Sequence, residues 1–367
     1  MRAPIMIMAG GTGGHIYPAL AIARVLADRA QPVIWLGTPT GMESRVVPPA
    51  GFDMAWVNIA GLRGRGVLGW LLAPFRLTRA VWQALRAIRE HAPRLVIGMG
   101  GFVSGPGGLA ARIAGVPLVV HEQNAVAGMT NRWLARFADK VLQAFDDAFP
   151  ANVAAETIGN PVRSDIRGLA EPAVRWQDRS GPLRLLVVGG SQGALVLNQQ
   201  LPAALAQMPE SDRPIVRHQA GSNTLEVAQD GYAQAGVRAE VTAFIDDMSE
   251  ALGWADLVIS RAGALTISEL CNVGLPAVLV PFPLAVDDHQ TANAQAMVNA
   301  GAALIVQQSV LTPESLLEAL ATLGRARDSL LVRAEKARAL RSHDAVAAVL
   351  THCAELLDDT SLLGATS

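Results

Sequence analysis

One local pattern occurs twice in this chain and constrains its fold more than any other feature. Ile5-Met6-Ile7-Met8-Ala9 runs into Gly10-Gly11-Thr12-Gly13-Gly14-His15, and apolar residues then recur at helical spacing through Ala19, Leu20, Ile22, Ala23 and Leu26. Leu185-Leu186-Val187-Val188 runs into Gly189-Gly190-Ser191-Gln192-Gly193-Ala194, and a second helical pattern follows. A buried strand, a glycine turn and a helix form the opening of a nucleotide-binding βαβ unit, whose ligands gather at the carboxyl ends of the strands. Two such openings in 367 residues predict an α/β chain of two Rossmann-like domains facing each other across a cleft. The expected domains are residues 1–160 and 161–343, with a polar, strandless stretch at 164–182 and a C-terminal helix at 344–358 that packs back on the first domain.

The first turn narrows the chemistry. A dinucleotide fingerprint needs G-x-G-x-x-G and an acidic residue at the end of the second strand, but here the strand Val33–Leu36 ends in Gly37-Thr38. A phosphate-binding NTPase loop would need a lysine that is missing. A dehydrogenase is therefore disfavoured. His15 stands at the mouth of the turn, where it is either a general base for a substrate hydroxyl or a helix-capping residue. Further on, the strand Pro117–Val120 delivers His121-Glu122-Gln123-Asn124 to a carboxyl edge, and Asn131 follows at the start of a helix. His121 and Glu122 read either as an acid–base pair or as a buried structural hydrogen bond.

In the second half, Leu257-Val258-Ile259 is a strand, Arg261-Ala262-Gly263 a turn, and Leu265, Ile267, Leu270 and Val273 the apolar stripe of a helix stopped by Gly274 and Pro276. That helix begins at the carboxyl edge, where its free N–H groups favour a phosphate. Glu269, three residues after Thr266, disfavours a phosphate and suits a diol, because a carboxylate accepts two hydroxyl hydrogens. A capped helix beside a solvated loop is the plainer account of the same residues.

Residues 61–90 have another character: GLRGRGVLGWLLAPFRLTRAVWQALRAIRE holds many arginines around Val67, Leu68, Trp70, Leu71, Leu72, Phe75 and Trp82. Such a surface suits an anionic bilayer, although an amphipathic helix packed on the sheet gives the same pattern. No apolar run is long enough to cross a bilayer, and the N-terminus does not read as a signal peptide. A net charge of −2 excludes a nucleic-acid binder that works by bulk charge. Two cysteines without metal-ligand spacing fit a reducing cytoplasm.

Taken together, GGTGGHIYPALA, GGFVSGPGGLAA, HEQNAVAGMTNRWLA, GNPVR, GGSQGA, FIDDM, RAGALTISEL and GLPAVLVPFPLAVDDHQTAN, in that order over nearly the whole chain, resemble the MurG family of type-B glycosyltransferases. Phe102 stands where that family usually has Tyr, and His289 where Gln is common. The resemblance implies inverting transfer of N-acetylglucosamine from UDP-N-acetylglucosamine to the 4-hydroxyl of lipid I, giving lipid II. It implies that backbone at Ile245 holds the uracil and Glu269 the ribose. Arg163, Ser191 and the helix start Ala264, Leu265 and Thr266 would hold the diphosphate, and Gln290 and Asn293 the sugar. Thr12, Gly13, Gly14, His15, His121, Glu122, Asn124 and Asn131 would line the acceptor side, with His15 the favoured base and Glu122 or His121 next. No metal or cofactor is expected, since Asp246-Asp247 and Asp287-Asp288 are adjacent pairs without an Asp-x-Asp strand exit. The implied setting is peripheral, at the cytoplasmic face of the bacterial inner membrane, with Arg76 and Arg79 among its membrane contacts and other cell-wall synthesis proteins as possible partners. A UDP-N-acetylglucosamine 2-epimerase of the same fold, or a non-catalytic nucleotide-sugar-binding protein, stays open; neither needs the arginine–tryptophan stretch.

Overall fold

The computed structural model describes residues 2–59, 73–190, 193–285, 288–324, 326–342 and 344–363. The chain divides into two compact units, Met1–Pro161 with Ser342–Ser367, and Val162–Arg341. In the first unit β1 (Ile5–Met8), β2 (Val33–Gly37), β3 (Asp53–Trp56), β4 (Leu95–Gly98), β5 (Leu118–Glu122), β6 (Lys140–Gln143) and β7 (Ala155–Thr157) form a parallel sheet in the order β3-β2-β1-β4-β5-β6-β7. In the second, β8 (Arg184–Val188), β9 (Ile215–Gln219), β10 (Ala239–Thr242), β11 (Leu257–Ser260), β12 (Ala277–Leu279) and β13 (Ala303–Ile305) form a parallel sheet in the order β10-β9-β8-β11-β12-β13. Both sheets reverse direction of growth at the strand that carries the glycine turn, β1 or β8. That is the switch point at which the carboxyl ends of doubly wound sheets leave room for a ligand.

The pleat of β1 explains how one strand serves two cores. Ile5 and Ile7 face a cluster built with the helix Gly13–Asp28, through Ile16, Ala19, Leu20 and Ala23. Met6 and Met8 face the opposite cluster, closed by the helix Ala73–His91 through Ala80, Ala84, Ala87 and Ile88. The C-terminal helix Ala345–Leu357 inserts Val346, Val349, Leu350 and Cys353 into the first of these clusters. Fully burying one such aliphatic side chain is worth about 1.5–3 kcal/mol, so this helix is part of the core of the first unit.

Several elements differ from the sequence reading. β3, β6 and β7 were not anticipated; β3 and β7 lie at the sheet edges with mostly exposed or half-buried residues, and so lack an apolar run. The helical stretch expected over 313–340 is two helices, Pro313–Leu323 and Arg327–Ala339, separated at Gly324, whose φ of +129° no other residue adopts cheaply. The strandless stretch 164–182 carries the short helices Ser164–Arg167 and Pro172–Trp176.

Candidate functional site

In the first unit the glycine turns after β1 and β4 pack against each other. A Cβ on Gly101 would lie 2.2 Å from the carbonyl oxygen of Gly10, and Gly100 and Gly101 take φ values of +100° and +84°, so this approach requires glycine on both counts. Ser104 fastens the second turn, accepting from the Gly100 N–H at 3.2 Å and donating to the Gly100 carbonyl at 2.7 Å. His15, in the first turn of the helix Gly13–Asp28, lays its half-buried ring against Gly100: a Cβ there would meet the ring at 2.8 Å. Its Nδ1 lies 3.4 Å from the Thr12 hydroxyl. Thr12 and Gly14 are exposed and Gly13 half-buried, so the start of this helix is open at the carboxyl edge.

His121 and Glu122 do not pair with each other. They are neighbours on β5, and neighbours on a strand point to opposite faces. His121 is fully buried, with Nε2 2.9 Å from the Gly159 carbonyl and Nδ1 3.0 Å from the Gln123 amide nitrogen. Nε2–H therefore donates to the carbonyl and Nδ1 accepts from the amide. Burial pulls its pKa down to about 4, against smaller opposing effects of the Gly159 bond and the Glu122 charge. The ring is neutral and both nitrogens are in use, which does not suit a base. Glu122 is equally committed. One oxygen accepts from the Asn124 backbone and side-chain amides at 2.9 and 3.1 Å, the other from the Gly128 N–H at 3.1 Å and the Asn131 amide at 2.9 Å. Asn131 also donates to the His121 carbonyl at 3.2 Å. These residues are brought together as expected, but they form the frame of the loop after β5. Of the three base candidates, His15 alone stands at the open glycine turn.

In the second unit the helix Ala264–Val273 starts directly after β11, with Gly263 as its N-cap residue and Thr266 half-buried in its first turn. Glu269 is partly accessible yet closely surrounded by protein. Burial raises its pKa to about 7, while Arg163 pulls it down and Asp165 pushes it up. Arg163 itself lies 3.8 Å from Asp165. Asn293 is fully buried on the helix His289–Asn299 and donates to the Ala262 carbonyl at 3.2 Å, within the turn that leads into the helix Ala264–Val273. The Gln290 side-chain oxygen accepts from the Phe282 N–H at 2.9 Å and fixes the loop after β12. Ile245 lies after β10, half-buried, on the far side of β8 from the helix start. Ser191 falls outside the described residues, as do Val67, Leu68, Trp70, Leu71 and Leu72. Phe75 and Trp82 do lie within them and are 76% and 60% exposed, on the helix whose alanines face the core.

Two residues escaped the sequence reading. Arg261 donates to the carbonyls of Val280 and Pro281 at 3.1 and 3.2 Å and to the Gln308 side chain at 2.7 Å, so it ties the exits of β11 and β12 together. Glu43 is a buried acid beneath the first glycine turn, accepting from the Gly11 N–H at 3.1 Å and from Thr38 at 2.9 Å (N–H) and 2.6 Å (hydroxyl). The signal in the sequence was an acid in a loop that keeps glycine at positions 37 and 41.

Residues 5–143 match the model of the glycosyltransferase family 28 N-terminal domain, and residues 184–349 that of the C-terminal domain. The chain belongs to glycosyltransferase family 28. A family 28 relative from Marinobacter nauticus, a UDP-N-acetylglucosamine–N-acetylmuramyl-(pentapeptide) pyrophosphoryl-undecaprenol N-acetylglucosamine transferase, is 56% identical over 354 residues, covering 96% of this chain and 98% of its own. The protein of the same name from Chromohalobacter salexigens is 55% identical over 358 residues, 97% and 98% of the two chains. The crystal structure of Acinetobacter baumannii MurG superposes with a TM-score of 0.82 at 41% identity, over 97% of this chain and 99% of the other. This family 28 member is a glycosyltransferase of the type-B fold. Among its described residues no helix is long and apolar enough to cross a membrane.

Proposed function

We propose that the protein is an inverting glycosyltransferase that moves N-acetylglucosamine from UDP-N-acetylglucosamine to the 4-hydroxyl of the muramyl sugar of lipid I, giving lipid II and UDP. The observation that carries this reading is the end-to-end similarity to the Marinobacter nauticus transferase, whose name states the donor group and the undecaprenol-linked acceptor. The second unit takes the donor. Backbone at Ile245 holds the uracil, and Glu269 accepts from the ribose hydroxyls. Arg163, Ser191 and the N–H groups of Ala264, Leu265 and Thr266 meet the diphosphate. Gln290 and Asn293 read the sugar.

The first unit takes the acceptor along Thr12, Gly13, Gly14, Asn124 and Asn131. The acceptor oxygen forms its bond to the anomeric carbon as the bond from that carbon to the diphosphate breaks, and His15 receives the hydroxyl proton. The charge that develops on UDP is met by donors already in place, a helix N-terminus and an arginine, which is how a preorganised site lowers a barrier. The acceptor is anchored in a bilayer, so the enzyme works at its surface. The exposed Phe75 and Trp82, with Arg76 and Arg79 beside them, suit peripheral attachment at the anionic cytoplasmic face of the inner membrane, alongside other cell-wall synthesis proteins.

The test is UDP release from UDP-N-acetylglucosamine with and without lipid I. Release that depends on lipid I supports transfer. Isomerisation of the sugar without an acceptor would make the protein an epimerase, and binding without turnover a nucleotide-sugar carrier; either result overturns the reading.

A further inference from the structure

The Glu43 carboxylate occupies a site the chain has cleared for it. A Cβ on Gly41 would lie 2.3 Å from both of its oxygens, one on Gly10 2.9 Å from the nearer oxygen, and one on Gly37 2.9 Å from its Cγ. The side chain is 1% exposed, and burying a carboxylate costs several kcal/mol unless donors are supplied. The donors come from two separate segments. Thr38, at the exit of β2, gives its N–H and hydroxyl to one oxygen, and Gly11 gives its N–H to the other. Gly11 has a φ of +90° and immediately precedes Thr12, the N-cap residue of the helix that carries His15. An apolar side chain of equal volume would pack the same space without that cost, but it would leave the Gly11 N–H unheld.

We propose that Glu43 is a positioning residue of the transfer reaction. From beneath, its carboxylate locks the Gly10–Gly11 turn in the conformation that sets the start of the helix Gly13–Asp28, and with it the His15 ring against Gly100. The proposal rests on the reading of His15 as the base. Glutamine cannot replace the acid: whichever way it turns, its amide nitrogen faces a backbone N–H, either that of Gly11 or that of Thr38.

The test compares Glu43→Gln, His15→Ala and the double variant in the lipid I-dependent assay, with UDP affinity measured alongside. The expected result for Glu43→Gln is a kcat lowered about 10- to 100-fold, the size of effect that a displacement near 1 Å produces. UDP affinity should stay within about twofold of wild type, because Glu43 belongs to the first unit and the proposed donor residues to the second. In the His15→Ala background the Glu43→Gln change should cause no further loss, since its effect passes through the ring already removed. A merely structural role predicts the opposite, an equal fractional loss in both backgrounds, and that result overturns the proposal. So does a folded Glu43→Gln variant with wild-type kcat. If Glu43→Gln does not fold, Gly41→Ala, which keeps the charge and displaces the carboxylate, must show the same lowered kcat and the same non-additivity. Should neither variant fold, Glu43 is a folding residue and the proposal falls. Absence of lipid I-dependent release by the wild type would instead sink the functional reading itself.

Discussion

Glu269 sits where a neutral carboxyl and a charged one are nearly balanced, and that makes the donor site measurable through pH. Burial holds its pKa at about 7, and the proposed acceptance of two ribose hydroxyls requires the ionised form. UDP affinity should therefore rise as pH climbs through 7 and level off above it. Glu269→Gln should retain only the slope contributed by ionisation of the diphosphate; an unchanged profile in isothermal titration would remove Glu269 from the site. At pH 8, Glu269→Ala and Arg163→Ala should each cost about 1.5–3 kcal/mol of UDP binding, as expected for hydrogen bonds to charged groups. At this scale the sequence showed which residues gather at the carboxyl edges and concealed what each one does. His121 and Glu122 look like an acid–base pair because they are adjacent, yet the strand pleat sends them to different partners. The role of Glu43 beneath the turn was concealed because its link to that turn is the Gly11 N–H, which lies 32 positions away and is a backbone group that no motif records.

Among the elements, the helix Ala73–His91 divides its residues cleanly. Ala80, Ala84, Ala87 and Ile88 form a stripe against the core, while Phe75, Leu77 and Trp82 face outward. Phe75→Ser with Trp82→Ser should therefore leave the melting temperature nearly unchanged, as surface substitutions shift stability by about 0.5 kcal/mol or less. The same pair should weaken binding to anionic vesicles in flotation assays, and charge reversal at Arg76 and Arg79 should weaken it by at least about 1 kcal/mol per arginine at low salt. Vesicle binding equal to wild type in both variants would move the membrane contact elsewhere. The helix start at Ala264 supports a second expectation at this scale. If its dipole and Arg163 meet the departing diphosphate as proposed, turnover should survive exhaustive chelation, and activity lost to chelator and restored by magnesium would refute it. The elements legible in the sequence were those with a continuous apolar run or a clear helical period, such as β1, β8, β11 and the helix Ala264–Val273. The edge strands β3 and β7 were not, because a strand with mostly exposed side chains owes its existence to its neighbour rather than to its own pattern.

At the scale of the whole molecule, the two sheets share one strand order apart from the extra edge strand β7 in the first, and the glycine turn doubled in the sequence marks the third strand in that order in each, β1 and β8. The doubling made the two-sheet architecture readable. It said nothing about which side chains would close each core, since that depends on contacts between distant segments. The helix Ala345–Leu357 was expected to pack on the first domain, but its sequence did not say that Val349, Leu350 and Cys353 would enter that core after the whole second unit had intervened in the chain. Ending the chain at Ser342 should remove several fully buried side chains, each worth about 1.5–3 kcal/mol, against a typical net stability of about 5–15 kcal/mol. Calorimetry should then show the first unit's transition lost or shifted far down, and an unaltered thermogram would contradict the packing. This arrangement also bears on the order in which a ribosome delivers the parts. Domains generally fold from the N-terminus onward as they emerge, at about 5–20 residues per second. Here the unit that begins first must wait, with one face of its core uncovered, until the helix Ala345–Leu357 leaves the exit tunnel, while the unit encoded in between can already be finished.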